Sequence, residues 1–113
     1  MAIYNEQVGV DPVTLLDVPA GKQYAILTVL VCNTAIPDPL QPEANITNFD
    51  MYLVPANGGT KGPSTLVLNT VELPAGETFT FDSEKVILEA GDRLIVQGES
   101  PTILTATVSY LEV

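Results

Sequence analysis

Histidine and tryptophan are absent from this chain, cysteine occurs once, and lysine and arginine together number only four among 113 residues. Each shortage excludes something. Without histidine there is no ordinary general base, no imidazole metal ligand and no imidazole pH switch. A nucleophile–histidine–acid triad cannot form, and no Ser-x-x-Lys arrangement replaces it. The single cysteine, Cys32, permits no intrachain disulfide. It lies in an apolar run with no neighbouring base or positive charge, so it reads as a small buried hydrophobe rather than a nucleophile. The four cations, Lys22, Lys61, Lys85 and Arg93, stand singly against 14 acidic residues, for a net charge of −10. Phosphate recognition needs clustered cations, which argues against direct nucleic-acid binding and against attraction to an anionic membrane. No apolar run reaches the length of about 18 residues that a membrane helix requires. The longest, Ala25–Cys32, is strand-sized and includes Thr28. The opening MAIYNEQVGVDP carries neither a basic segment nor an apolar stretch of signal-peptide length. The expectation is a protein made in the cytosol and not exported, with the Asn45-Ile46-Thr47 sequon a chance match.

What is present is a strand-and-turn composition. Apolar residues make up 46% and charged residues 16%, enough for one hydrophobic core without disulfides or metal. No segment sustains helical apolar spacing with a capping signal. The strands expected are Val13–Val18, Gln23–Asn33, Ile46–Val54, Thr65–Glu72, Glu77–Phe81, Lys85–Glu89, Arg93–Gln97 and Thr102–Glu112. Eight short strands punctuated by turns give an all-β fold, a single antiparallel β-sandwich of jelly-roll or immunoglobulin-like type over residues 13–113. Residues 1–12 are expected as an extended N-terminal arm.

Alternation assigns faces. Phe49, Met51 and Leu53 fall opposite Asn48 and Asp50; Leu104, Ala106, Val108 and Tyr110 fall opposite Thr105, Thr107 and Ser109. The segment Tyr24–Cys32 differs, since both of its faces are largely apolar. Its second face is expected to be covered by the N-terminal arm or by another subunit.

Three segments share one pattern: Val18-Pro19-Ala20-Gly21-Lys22, Leu73-Pro74-Ala75-Gly76-Glu77 and Leu88-Glu89-Ala90-Gly91-Asp92, each leading into an alternating strand. This is expected as a strand-entry turn rather than a ligand loop, with proline pre-setting the first central position and glycine supplying a positive φ. The loop 35–43 carries three prolines and should be extended and semi-rigid, while 57–63 is glycine-rich without P-loop spacing. Asp38, Glu43, Asp50 and Asp82 are the conceivable calcium ligands, but no loop has dense Asp-x-Asp spacing. No cofactor or metal is expected, and no catalytic set.

The stretch Leu88-Glu-Ala-Gly-Asp-Arg-Leu-Ile-Val96 and the terminal Thr105-Ala-Thr-Val-Ser-Tyr-Leu-Glu-Val113 resemble small virion proteins of tailed bacteriophages. So do the Pro-Ala-Gly-Lys turn and the long apolar strand between Pro19 and Thr34, and Tyr52-Leu53-Val54. The resemblance covers most of the chain in order; the loop 35–43 has no counterpart. It implies a non-enzymatic structural protein of the virion, made in the host cytoplasm. The leading role is a head decoration or cement subunit that binds capsid proteins as a symmetric homo-oligomer, a trimer favoured. A tail, neck or fibre-associated position, with tail proteins as partners, is close behind. Under this reading Ile3, Tyr4 and Val8 of the arm dock on a neighbouring subunit, and Tyr24, Ile26 and Leu30 offer the second face of their strand. Deleting residues 1–12 should then abolish assembly and leave the fold intact. A saccharide-binding module is the alternative of another class, disfavoured by the missing tryptophan.

Overall fold

The computed structural model describes residues 2–41, 45–56, 61–82, 86–99 and 104–113. Among these residues nine strands are formed: β1 (Ala2–Val8), β2 (Val13–Asp17), β3 (Tyr24–Asn33), β4 (Thr47–Val54), β5 (Leu66–Leu73), β6 (Thr78–Phe81), β7 (Val86–Leu88), β8 (Arg93–Gly98) and β9 (Leu104–Glu112). One 3-10 turn, Pro63–Thr65, precedes β5. Every pairing is antiparallel, in two sheets of order β1-β9-β3-β6, with β7 also on β3, and β2-β8-β4-β5. Because β6 and β7 both pair with β3, they act as one interrupted strand. The pairs are then β1–β9, β2–β8, β3–β6/β7 and β4–β5, nested from the outside of the sequence inward. A long hairpin rolled into two sheets has this nesting, and it selects the jelly roll over the immunoglobulin-like alternative.

The alternation read along the strands holds where it was clearest. Phe49 and Met51 of β4, Leu94 and Val96 of β8, and Leu104, Ala106 and Val108 of β9 all face the space between the sheets and are at most 1% exposed. Phe49 crosses to Phe79 of β6 in an edge-to-face contact at 5.5 Å, tying one sheet to the other. Side chains of this size stabilise the fold by about 1.5–3 kcal/mol each when fully buried.

The three repeated turns also form as strand entries. Gly21, Gly76 and Gly91 have φ of +79°, +78° and +86°. The amides of Lys22, Glu77 and Asp92 donate to the carbonyls of Pro19, Pro74 and Glu89. The hydrogen bond therefore starts at the proline or glutamate, which corrects the expected placement of proline at the first central position. Alanine occupies that position, and glycine follows it at the one that needs positive φ.

Two larger expectations are corrected. Residues 2–8 are not a free arm but β1, a strand in unbroken register with β9 from Ala2↔Tyr110 to Val8↔Leu104. Val8 is 0% exposed within the core, so removal of residues 1–12 opens the core rather than sparing the fold. The second correction concerns β3, whose register on β9 shifts between Ile26 and Thr28. This bulge at Leu27 reverses the alternation halfway along the strand. Ile26, Val29 and Val31 all point inward, while Ala25 on one side of the bulge and Thr28, Leu30 and Cys32 on the other point outward. Cys32 is accordingly half-buried on the outer face instead of lying in the core.

Candidate assembly surface

The register of the first sheet fixes what its outer face presents, one row at a time. Ile87, Ala25 and Leu111 align across β7, β3 and β9. Thr28, Ser109 and Ile3 form the next row, across β3, β9 and β1. Thr80, Leu30, Thr107 and Asn5 follow, and then Thr78, Cys32, Thr105 and Gln7. None of these positions is charged. Ile3 and Ile87 are 63% and 59% exposed, and β1 lies beside β9 rather than over β3, so residues 2–8 do not cover the face. Between Ile3 and Leu30 the small side chains Thr28, Thr107 and Ser109 leave a shallow groove of about 260 Å³.

The outer face of the second sheet is built differently. Asp17 of β2 sits opposite Arg93 of β8, and Asp50 of β4 opposite Gln97. Glu72 of β5 lies opposite Asn48. Part of this face is covered by the chain itself: Tyr52, Val54 and Ile95 form a second small apolar cluster with Leu66. Lys61 rests over the Tyr52 ring at 4.6 Å from its centroid. Asp17, Asp50, Glu72 and Arg93 thus gather on the outer face of the second sheet, whereas the outward rows of the first sheet carry no charge; Glu6 of β1 and Glu112 of β9 fall on the other side of their strands.

A polar cleft of about 310 Å³ opens on that charged face, between Asn48, Asp50, Thr70, Gln97 and Glu99. Its groups are largely engaged with one another. Asn48 Nδ2 donates to Glu99 Oε2 at 2.7 Å, the Thr70 amide to Asp50 Oδ1 at 2.6 Å, and Gln97 Nε2 to the Val10 carbonyl at 2.9 Å. Thr70 takes φ +51°, an unusual value for a β-branched residue, where the β4–β5 register slips between Phe49 and Met51. Asp50 thereby serves to hold this irregular turn. Among the described residues no group of three or more Cys, Asp or Glu stands together as a metal site. Asp38 accepts the Leu40 amide at 2.9 Å, and Glu43 lies outside the described residues.

The six residues expected at a partner contact separate into three places. Ile3 and Leu30 share the uncharged outer face, on either side of the groove. Val8 and Ile26 are core residues at 0% and 3% exposure and are withdrawn from any contact set. Tyr24 leans on Tyr110, ring centroids 4.7 Å apart, and packs at the margin of the core. Tyr4 lies on the opposite side of β1 from Ile3, where its hydroxyl donates to Glu6 Oε1. That hydrogen bond to a carboxylate raises the Tyr4 pKa. At the far corner, Lys22 Nζ donates to Glu112 Oε1 at 3.1 Å, and the hydrogen bond raises the lysine pKa. Reading β9 alone, Thr105, Thr107 and Ser109 look like an ordinary wet side. Their place beside Ile3, Leu30 and Leu111 depends on long-range register, which no local pattern carries.

The chain matches no protein-family model, no curated protein and no solved structure.

Proposed function

We propose that this chain is a non-enzymatic structural subunit of a tailed-bacteriophage virion, with a head decoration or cement role as the leading assignment. In that role it assembles as a symmetric homo-oligomer on capsid proteins. The observation that carries the reading is the uncharged, uncovered outer face of the β1-β9-β3-β6 sheet in a chain of net charge −10. A highly acidic protein repels its own copies and other acidic proteins. A face free of charge is where such a protein approaches a neighbour with the least desolvation and repulsion, and interface cores are depleted of charge in the same way. The resemblance of Pro19–Thr34, Leu88–Val96 and the terminal strand to small phage virion proteins supplies the virion context.

The test is co-sedimentation of the folded chain with shells assembled from the major capsid protein of the same genome, with assembled tails as the comparison. Saturable binding to shells, lost in a Leu30→Glu variant that still folds, is the expected result. Saturation on tails alone moves the protein to a tail, neck or fibre position, and binding to neither overturns the reading. A saccharide-binding role would have to use the cleft at Asn48 and Glu99. There the polar groups already bond to one another, and Phe49, the ring beneath them, is 1% exposed.

A further inference from the structure

The two sheets have four edges, and three of them carry features that discourage another strand from adding. The β6/β7 edge is broken into strands of four and three residues. On β2 there is a bulge between Thr14 and Leu16, and the strand ends at Asp17. On β5 the register shifts twice, and Thr70 turns through positive φ. Short edges, bulges and charges are how β-proteins prevent edge-to-edge association. The β1 edge is neither short nor bulged. It runs seven residues in unshifted register with β9, contains no proline, and its one charged residue, Glu6, is engaged by the Tyr4 hydroxyl. Its other edge has no strand partner among the described residues.

We propose that β1 pairs with β1 of a second copy, antiparallel about a two-fold axis at Asn5, so that two β1-β9-β3 sheets become one continuous sheet. This rests on the assembly reading for its choice of a second copy as partner, and it replaces the expected trimer with a two-fold pair. Asn5 is the middle residue of Ala2–Val8, so centring there gives full overlap. Tyr4 then lies opposite the partner's Glu6, and Ile3 opposite the partner's Gln7. Centring on Glu6 would set the two carboxylates directly across from each other, a destabilising arrangement. On the outer side the pairing joins Ile3, Asn5 and Gln7 to their symmetry equivalents and extends the uncharged face across both copies. Two bodies of net charge −10 therefore meet at an edge with a single carboxylate each. The contact is about 24 Å long at the antiparallel rise per residue. It belongs to interfaces below about 1,200 Å², so a reversible equilibrium in the micromolar range is expected.

The experiment is site-directed disulfide trapping in the full chain, with Cys32→Ser removing the native thiol. Asn5→Cys should give a covalent dimer under mild oxidation, with mass twice the 12.0 kDa of the chain. Thr80→Cys, at the opposite margin of the same face, should remain monomeric. Trapping at position 80 without trapping at position 5 overturns edge pairing, as does a concentration-independent monomer or a closed trimer by light scattering. As a second variant, Ile3→Lys with Gln7→Lys makes the chain less acidic and so lowers general repulsion. It should nevertheless weaken dimerisation at least tenfold with the fold unchanged by circular dichroism, and unaltered dimerisation overturns the proposal. Shell binding by a strictly monomeric chain would sink the pairing and leave the capsid-binding part of the proposed function standing. A trapped dimer that binds neither shells nor tails would do the reverse.

Discussion

Asn33 ends β3 with no exposed surface, and each polar atom of its side chain is used. Nδ2 donates to the carbonyls of Asn45 at 2.8 Å and Leu73 at 3.0 Å, and Oδ1 accepts the Ala35 amide at 3.1 Å. Its own amide and carbonyl bond to Glu77 and Gly76. The side chain thus joins the end of β5 to Ala35 and Asn45 in the loop after β3, while the backbone of the same residue holds the turn into β6. Asn33→Ala leaves these buried groups unpaired and should cost about 2–4 kcal/mol by chemical denaturation. Asn33→Asp should be worse at neutral pH, because it turns a carboxylate oxygen toward two carbonyls. Burial and those carbonyls raise the folded-state pKa of the introduced acid above its unfolded value. Its deficit relative to the parent should therefore be greatest at neutral pH and shrink as pH falls toward 4, where the acid is neutral and can donate once. A deficit independent of pH would mean that the carboxylate turns out to solvent. Nothing in the sequence distinguished Asn33 from the next strand terminus, since its partners come from residues far along the chain. Phe49, Met51 and Val108, in contrast, were legible because a period of two places them without reference to any other strand.

At the scale of elements, the Ala-Gly turns were legible because each needs only four consecutive residues and one positive φ. The three are not equivalent in space, however. A Cβ on Gly91 would come 2.6 Å from the Ala56 Cβ, whereas a Cβ on Gly21 would meet nothing within 4 Å. The Gly91 turn is docked: its amide donates to the Val18 carbonyl at 2.8 Å, and Asp92 Oδ1 accepts the Ala56 amide at 2.9 Å. Gly21→Ala should cost only the backbone penalty of about 1–2 kcal/mol, which lowers the Tm by roughly 4–8 °C. Gly91→Ala carries the same penalty and must also displace Ala56, so its Tm should fall at least twice as far. Equal losses at the two sites would show that residue 56 yields freely. The elements that were not legible fail for related reasons. Within β1, the run Asn5-Glu6-Gln7 is polar on both faces, so alternation is invisible and only pairing with β9 makes a strand of it. The bulge at Leu27 inverts the face of everything before it, which is why Ile26 and Leu30, four residues apart, lie on opposite sides of one strand.

For the whole molecule, the separation of charge between the two outer faces governs how it associates. The assembled pair carries twice the net charge of −10, and the proposed contact contains no ion pair between copies to offset it. Long-range repulsion therefore opposes association, while backbone hydrogen bonds and the apolar area around Ile3 favour it. Salt shortens the range of that repulsion from about 30 Å at 0.01 M to about 8 Å at 0.15 M, comparable with moving from the full 29 Å breadth of the molecule to a fraction of it. Raising ionic strength through this interval should strengthen dimerisation, lowering Kd by roughly three- to tenfold. Acidification toward the isoelectric point near 4.1 should act in the same direction. Sedimentation equilibrium over a salt series measures the sign directly. A Kd that rises with salt would require attractive ion pairs across the contact. The charged face, with Asp17, Arg93 and Asp50, would then be the one that meets a neighbour, and the uncharged sheet would have to be left facing water.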